Sequence, residues 1–302
     1  MIMARFNEIK KQDGKVFLIT GANSGLGYET SKSLLERGAT VIMCCRDLLK
    51  GEKAKQELLK LNCSGNIELV ELDLSDLNNV EKIAEFIKSK FNHLDVLINN
   101  AGIMAPPKTF SKQGLEIQFA VNHLAHMSLT LELLPMLNEK SKSRVVTVTS
   151  GVQYFGKIQW DDLQGNLKYD RWASYAQSKL ANVMFGLELN SILKESNSNT
   201  SSLLAHPGFA KTNLQPKSVE ASKSWQEGLA YKLMDPMFQS AKMGALPQIT
   251  AATLNSAKGG EQYGPKFNFR GFPKICRNAP RALNKNSRKR LWDLSLDLIK
   301  TV

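Results

Sequence analysis

Short apolar runs alternate with longer amphipathic stretches along the first two thirds of the chain. The short runs are continuous in Val, Ile and Leu, which is typical of strands buried on both faces of a parallel sheet. The longer stretches repeat apolar residues at helical spacing, which predicts helices packed on that sheet. The predicted strands are 15–20, 40–45, 66–73, 95–100, 144–150 and 201–206, and the predicted helices are 28–38, 47–61, 76–90, 113–138 and the segment carrying Tyr175.

The regular alternation of strands and helices predicts the fold class. Parallel strands joined through helices need right-handed crossovers, and the result is an α/β, Rossmann-type doubly wound parallel sheet. No repeat and no Pro- or Ser-rich linker divides the chain, so we expect a single domain over 1–302. Within it we expect a core over about 14–206 and a small irregular lobe over about 208–240.

Composition and charge exclude several classes of protein. The chain is 42% hydrophobic, and neither its N-terminus nor any other stretch has the apolar length of a membrane span, so we expect a cytoplasmic protein without a membrane anchor. None of the four cysteines has C-x-x-C spacing, which argues against a disulfide framework or a zinc site. The net charge is +12, but many lysines stand beside glutamates along amphipathic helices, as in LLKGEKAKQELLKL, which is typical of a solvated helix face. The basic run 284–290 leaves a nucleic-acid or membrane contact open, but we expect no nucleic-acid partner.

A glycine-rich turn, TGANSGLG, closes the first predicted strand and opens the first predicted helix. Glycines let the backbone approach a pyrophosphate closely, and the helix that follows offers free N–H groups and the positive end of its dipole. In this position we expect a dinucleotide rather than a turn without a ligand. The residues predicted to contact it are Gly21, Asn23, Ser24, Gly25, Leu26 and Gly27.

The end of the second predicted strand indicates which nicotinamide dinucleotide binds. A carboxylate there binds the ribose 2′-hydroxyl of NAD, whereas an arginine accommodates the 2′-phosphate of NADP. Cys45 stands where the carboxylate is expected, and Arg46 follows it. The sequence therefore predicts NADP(H). Asp47 has two open roles, since it could partly neutralise Arg46 or cap the next helix.

Tyr175 and Lys179 lie one helical turn apart in the run YAQSK. Residues at i and i+4 share a helix face, so a lysine ammonium at this spacing can stabilise the phenolate and lower the pKa of the tyrosine. A tyrosine packed in the core beside an ordinary exposed lysine would give the same pattern. The spacing alone does not decide between them.

With both motifs, the chain resembles the short-chain dehydrogenase/reductase family over about residues 14–213. Five further segments occur in the family's order, namely ELDLSD, INNAG, AVNHLAH, VVTVTS and HPGFAKT. The run SKLANVMF after Tyr175 and the 25 residues between Ser150 and Tyr175 are similar to the branch that contains retinol dehydrogenases and WW-domain-associated oxidoreductases.

The resemblance implies roles for individual residues. Asp73 and Leu74 would lie near the adenine ring, Asn100, Ala101 and Gly102 near the adenosine ribose, and Pro207, Gly208 and Thr212 beside the nicotinamide. Tyr175 would donate the proton, and Lys179 would tune it and contact the ribose. Ser150 would hold the substrate oxygen, and Asn122 would kink its helix and hold a water that links Lys179 to solvent.

The implied function is hydride transfer between NADP(H) and a carbonyl or alcohol of a lipophilic small molecule. The core would bind the cofactor, and the lobe would bind the substrate. Reduction of a tetrapyrrole double bond, as in protochlorophyllide reductases, and a non-catalytic NADP-binding sensor or scaffold are the alternatives. The intact set of Ser150, Tyr175 and Lys179 argues against the sensor. The family also implies a homodimer that pairs through the helices near 113–138 and 172–195.

Two remaining groups of residues have a functional and a structural interpretation. His123 and His126 share a helix face, but no third ligand has a suitable spacing, so we expect no metal. A set of apolar residues in or near the predicted lobe either lines the substrate pocket or packs the lobe: Trp225, Met234, Met237, Phe238 and Met243.

Overall fold

The computed structural model describes residues 9–61, 63–211, 218–220, 226 and 238–301. Thr212, Trp225, Met234 and Met237 lie outside the described residues, as does most of the predicted lobe over 208–240.

The described part of the chain forms one eight-stranded sheet. Its strands are β1 Val16–Thr20, β2 Thr40–Cys45, β3 Asn66–Glu71, β4 Val96–Asn99, β5 Arg144–Val148, β6 Ser201–Ala205, β7 Gln262–Pro265 and β8 Pro273–Cys276. The order β3-β2-β1-β4-β5-β6-β7-β8 reverses direction between β1 and β4, so the predicted doubly wound fold is confirmed. β1 to β7 are parallel, and β8 adds an antiparallel edge that the sequence did not indicate.

Helices cover both faces of the sheet. They are α1 Gly25–Leu35, α2 Leu48–Leu59, α3 Leu77–Lys90, α4 Ile117–Phe119, α5 Ala125–Asn138, α6 Arg171–Glu195, α7 Ala241–Thr253 and α8 Lys285–Lys300. Buried residues of α1, α2 and α7 form one core with one face of the sheet. Those of α3, α5, α6 and α8 form the core on the other face. The strands inside the sheet are apolar on both sides because each side meets a layer of helices, whereas the edge strands β3 and β8 carry exposed residues.

The predicted helix over 113–138 is interrupted. A π-helical turn over Ala120–Leu124 separates α4 from α5, and the Ala125 N–H donates to the Ala120 carbonyl five residues back. Asn122 lies inside this turn, where its side chain bonds to the backbone of Ile103. Such bulges are frequent at functional sites.

The C-terminal helix α8 packs across α6. The rings of Phe185 and Trp292 stack with centroids 5.8 Å apart, and Arg288 pairs with Glu188 at 2.9 Å. Part of the α6 surface predicted to pair two subunits is therefore covered by the chain's own helix, and the homodimer stays a prediction. Of the helices in the described residues, none has the length and apolar character needed to cross a membrane.

Candidate active site

A cleft of about 810 Å³ opens at the carboxyl ends of β1 to β4, where the strand order reverses. Ligands of doubly wound sheets bind at this position, and the volume falls within the range of cofactor sites. The structure brings most of the predicted cofactor residues together in its lining, namely Gly21, Asn23, Ser24, Gly25, Leu26, Arg46, Asp73, Leu74, Asn100, Ala101 and Gly102.

The glycine-rich turn has a backbone that other residues would not tolerate. Gly21 and Gly25 have φ of +65° and +55°, in the left-handed region that favours glycine. A Cβ on Gly27 would overlap the Gly21 carbonyl oxygen. The first helical hydrogen bond at the start of α1 runs from the Tyr28 N–H to the Ser24 carbonyl. The N–H groups of the residues before Tyr28 lie ahead of this bond, at the open end of the helix. This turn at the N-terminus of α1 has the geometry of sites that bind anions in other proteins.

Asn100 ties the end of β4 to this turn. Its Nδ2 donates to the Thr20 carbonyl at 2.7 Å, while the N–H groups of Asn100 and Ala101 both donate to Thr20 Oγ1 at 2.9 Å. Gln248 of α7 donates to Asn100 Oδ1 at 3.0 Å. Sequence reasoning missed Gln248; the only signal was a glutamine inside a mostly apolar stretch, AKMGALPQITAAT.

β2 ends in Cys45, at the position where a carboxylate is expected in an NAD site. Cys45 is buried, and burial raises the pKa of its thiol to about 11, so it is neutral at physiological pH. The Asp47 carboxylate accepts the Lys50 N–H at 3.0 Å and pairs with the Lys50 ammonium at 2.7 Å. Of its two open roles, Asp47 therefore has the helix cap, and its charge is directed to Lys50 rather than Arg46. Arg46 is exposed and lines the cleft together with Lys53.

Asn122 connects the end of β4 to α6. Its Oδ1 accepts the Ile103 N–H at 2.8 Å, and its Nδ2 donates to the Ile103 carbonyl at 3.0 Å and to Ser178 Oγ at 2.9 Å. The π-helical turn lets the side chain bond in both directions. The backbone carbonyl of Asn122 lies 3.1 Å from Nδ1 of His126.

Hydrogen bonding fixes the tautomer of His126. Thr20 Oγ1 already accepts two backbone N–H groups, so its own hydrogen is donated to His126 Nε2 at 2.9 Å. Nδ1 then carries the proton and donates it to the Asn122 carbonyl. Burial lowers the pKa of His126 to about 4, with a further contribution from Lys179, so the ring stays neutral. His123 bonds instead to Ser295 of α8 through Nε2 at 2.9 Å.

Tyr175 and Lys179 lie buried on one face of α6. The Lys179 Nζ is 5.9 Å from the centroid of the Tyr175 ring. A Cβ added to Gly102 would meet Asn122 Oδ1 at 3.1 Å and Lys179 Nζ at 3.2 Å. The amide and the ammonium therefore meet over a glycine that lines the cofactor cleft. Burial lowers the pKa of Lys179 to about 8, and the alternative of an ordinary exposed lysine does not apply.

Ser150 follows β5 at the same edge of the sheet. The preceding residue, Thr149, donates from Oγ1 to the Lys179 carbonyl at 2.7 Å. This bond holds the end of β5 against the α6 turn that carries Lys179. Ser150 caps a short 3-10 helix over Gly151–Tyr154, and its Oγ is a distant 3.5 Å from the Val152 N–H. Its hydroxyl is therefore only weakly engaged by that bond.

Pro207 and Gly208 leave β6 on the other side of Ser150. Gly208 has φ of +66°, and a Cβ there would overlap the Phe269 carbonyl oxygen. The Phe209 N–H donates to that carbonyl at 2.7 Å, and the Phe209 ring lies 5.8 Å from the ring of Phe238. Phe209 and Phe269 were missed because the sequence gives no signal that residues sixty positions apart meet.

Comparisons with known proteins agree with this geometry. The model of the family described as short chain dehydrogenase matches residues 15–223. Retinol dehydrogenase 12 of Bos taurus is 37% identical over 286 residues, which cover 95% of this chain and 86% of that protein. The WW domain-containing oxidoreductase of Gallus gallus is 36% identical over 300 residues, covering 95% of this chain and 68% of that protein. A crystal structure of an uncharacterized protein from Mycobacterium paratuberculosis superposes with a TM-score of 0.82 at 37% identity, covering 99% of this chain and 98% of that one.

Proposed function

The chain belongs to the short-chain dehydrogenase family and is a nicotinamide-dependent oxidoreductase; from that premise, we propose that it interconverts a carbonyl and an alcohol of a lipophilic small molecule with NADP(H). The observation that carries this proposal is the buried pair of Tyr175 and Lys179, which adjoins the cofactor cleft through Gly102. A packed tyrosine beside an exposed lysine would not have this arrangement.

The residues present fit NADP(H). The glycine-rich turn suits a pyrophosphate, because it leads directly into the N-terminus of α1, and Gly27 lets that helix pack closely on the Gly21 carbonyl. Cys45 offers a neutral thiol in place of a carboxylate, and Arg46 and Lys53 line the cleft with Asp47, whose carboxylate pairs with Lys50. A guanidinium is a permanently charged planar fork that matches a phosphate. When bound, the nicotinamide supplies or accepts the hydride.

Tyr175 is the proton donor in this proposal. Its phenol would give up a proton to the substrate oxygen as negative charge develops there, and Ser150 would hold that oxygen through its hydroxyl. A neighbouring cation stabilises the phenolate that remains. With a pKa of about 8, Lys179 is about nine tenths protonated at pH 7, so it supplies that cation.

Asn122 has a positioning role and a relay role in the proposal. Its side chain joins Ile103 to Ser178, and this fixes the π-helical turn beside Lys179. Protons that pass from Lys179 toward solvent would leave along this turn. The Asn122 carbonyl, which accepts the His126 Nδ1–H at 3.1 Å, lies on that path.

Two observations support a lipophilic substrate. Retinol dehydrogenases 11 and 12 are 34–37% identical to this chain over nearly its whole length, and their names give an apolar alcohol as substrate. Phe209 directly follows Pro207 and Gly208, and its ring packs near the rings of Phe238 and Phe269. Aromatic side chains with a few polar groups are typical of pockets for apolar ligands.

The test follows NADPH oxidation with retinal and with a series of linear aldehydes of increasing length. kcat/KM should rise with each methylene added to the aldehyde, and a flat series would remove the lipophilic substrate. Tyr175→Phe should lower kcat by about 10²–10⁴-fold with NADPH affinity retained. Tyr263→Phe is the matched control, because that hydroxyl bonds to Glu261 at 2.7 Å, on a strand away from Tyr175. Wild-type kcat in Tyr175→Phe would contradict the assignment.

A further inference from the structure

The charge of the chain is concentrated in one segment. Residues 262–290 contain nine Lys and Arg and no Asp or Glu. This segment therefore accounts for most of the net charge of the chain, which is +12. This segment forms β7, β8, a 3-10 turn over Pro280–Leu283 and the start of α8. Arg288 is buried against Glu188, but most of the other cations are exposed. The segment therefore presents a cationic surface. The other helices do not, because their lysines are interspersed with glutamates.

Large apolar side chains project from the same surface. Ile275 is 57% exposed on the edge strand β8, and Leu283 is 56% exposed on the 3-10 turn. Phe155, in the loop after Ser150, is 83% exposed. Exposed apolar patches rimmed by polar residues often mark interaction sites.

Hydrogen bonds hold the Phe155 loop against the cationic segment. The Tyr154 hydroxyl donates to the Arg277 carbonyl at 2.7 Å, and Arg281 Nη1 donates to the Gly156 carbonyl at 3.1 Å. The loop is thus bonded on both sides of Phe155. We call the resulting surface the 155–283 face, and it comprises Phe155, Lys157, Ile275, Arg277, Arg281 and Leu283.

Further cations extend this face along α8. Arg290 lies over the ring of Trp160 at 4.4 Å, so the start of α8 is next to the loop that carries Lys157. Lys285 and Lys289 are exposed on the same helix end. Asp161 and Asp293 are the carboxylates nearest in sequence to Lys157 and Arg290, and Glu261 directly precedes the 262–290 segment.

The 155–283 face adjoins the substrate side of the sheet. Phe155 comes shortly after Ser150, at the carboxyl end of β5. The hairpin between β7 and β8 carries Phe267, which is 59% exposed, and the same hairpin bonds to Phe209 through the Phe269 carbonyl. The Phe155 loop and the β7–β8 hairpin therefore both start from the carboxyl edge of the sheet, where Ser150 follows β5 and Gly208 follows β6.

We propose that the 155–283 face docks the enzyme peripherally on the surface of an anionic lipid bilayer. Phe155, Ile275 and Leu283 enter the boundary between headgroups and acyl chains, and the cations contact the anionic headgroups. Ile275 and Leu283 favour a bilayer over nucleic acid as the partner, because aliphatic side chains cannot stack on bases. Docking would also bring the mouth of the site to a membrane, where an apolar substrate is dissolved. That last step rests on the proposed function, but docking itself does not.

The test uses the full chain and vesicles of phosphatidylcholine alone or mixed with phosphatidylserine. Wild type should co-sediment with the mixed vesicles, and binding should fall as salt is raised, because exposed charges are screened. Replacing Lys157, Arg277 and Lys289 by Gln should weaken binding by about a hundredfold, since each cation near such a surface contributes roughly a factor of five. None of these side chains has a bond in the described structure that its loss would break.

The matched control replaces the exposed lysines Lys60, Lys82 and Lys142 by Gln, which removes the same charge elsewhere. It should bind the mixed vesicles within a fewfold of wild type. A second variant, with Phe155, Ile275 and Leu283 changed to Ser, should also lose binding although its charge is intact.

Equal wild-type binding to both kinds of vesicle, or equal losses in the control and the Lys157/Arg277/Lys289 variant, would overturn the proposal. Duplex DNA and soluble phosphatidylserine are also compared as competitors for the vesicle-bound protein. If DNA displaces the protein at the lower concentration, the proposal is overturned. Activity on a short, water-soluble aldehyde is measured for every variant without vesicles. It should equal that of wild type, so a failure of docking is distinguishable from a failure of the proposed reaction.

Discussion

Lys179→Met should make the cofactor-free protein more stable while it abolishes catalysis. Lys179 is only 4% exposed, and burial is the cause that lowers its pKa. Among the described residues no carboxylate forms an ion pair with it. A charge held in this way destabilises the fold, because the ammonium has lost water without gaining an opposite charge. Methionine keeps the length of the side chain and removes the charge.

The shift in pKa sets the magnitude and its pH dependence. The pKa of Lys179 falls from 10.5 to about 8 on folding. A difference of about 2.5 units corresponds to about 3 kcal/mol, at about 1.4 kcal/mol per unit. Below about pH 8 the folded and unfolded chains both hold the proton, so the full cost is present. Between about pH 8 and 10.5 the folded chain releases the proton and the unfolded chain keeps it, so the stability of wild type rises with pH.

Urea unfolding of NADPH-free wild type and Lys179→Met at about pH 7 and about pH 10 tests this reasoning. The variant should be more stable by up to about 3 kcal/mol at the lower pH, and the gain should shrink at the higher pH. Lys194→Met is the control, since Lys194 is exposed on the same helix α6 and its replacement should change stability by less than about 0.5 kcal/mol. A destabilised Lys179→Met at pH 7, or a gain that does not depend on pH, would refute the argument.

Two further predictions concern the cofactor cleft. Arg46→Ala should weaken NADPH binding by about tenfold and leave NADH binding unchanged, because only NADPH has a 2′-phosphate for the guanidinium to contact; equal losses by titration calorimetry would contradict this. Gly27→Ala should abolish binding of both dinucleotides, because its Cβ would overlap the Gly21 carbonyl oxygen, whereas Gly151→Ala, where a Cβ meets open space, should bind NADPH normally in the same titration.

The first two thirds of the fold could be predicted because local pattern and tertiary role agree there. β2 runs over Thr40–Cys45 as predicted, since a continuous β-branched and apolar run has few other structures available. The chain after residue 240 gave no such agreement. α7 is buried nearly all round and contains Pro247, so it has no polar face to reveal a helix. β7 is the four residues QYGP, which no periodicity could identify.

The site divides in the same way. The glycine turn, Ser150, Tyr175 and Lys179 occur in short motifs, and the sequence predicts them because their spacing is local. The contacts that position them are long-range and gave no signal. Gln248 bonds to Asn100 across 148 positions, and His126 bonds to Thr20 across 106. The spacing of His123 and His126 raised the question of a metal. In the structure His126 bonds to Thr20 and His123 bonds to Ser295, which are the partners that buried polar side chains need.

The π-helical turn joins the two halves of the site into one network. The Asn122 carbonyl lies in this turn, and it accepts the Nδ1–H of the His126 side chain. His126 in turn receives the hydroxyl of Thr20, which holds the backbone of Asn100 and Ala101 at the cofactor cleft. On the other side the Asn122 amide holds Ser178, between Tyr175 and Lys179. The cofactor turn and the acid–base pair are therefore positioned by the same chain of hydrogen bonds. Substitutions at its members should not have additive effects, since removing one bond releases the groups that the others position.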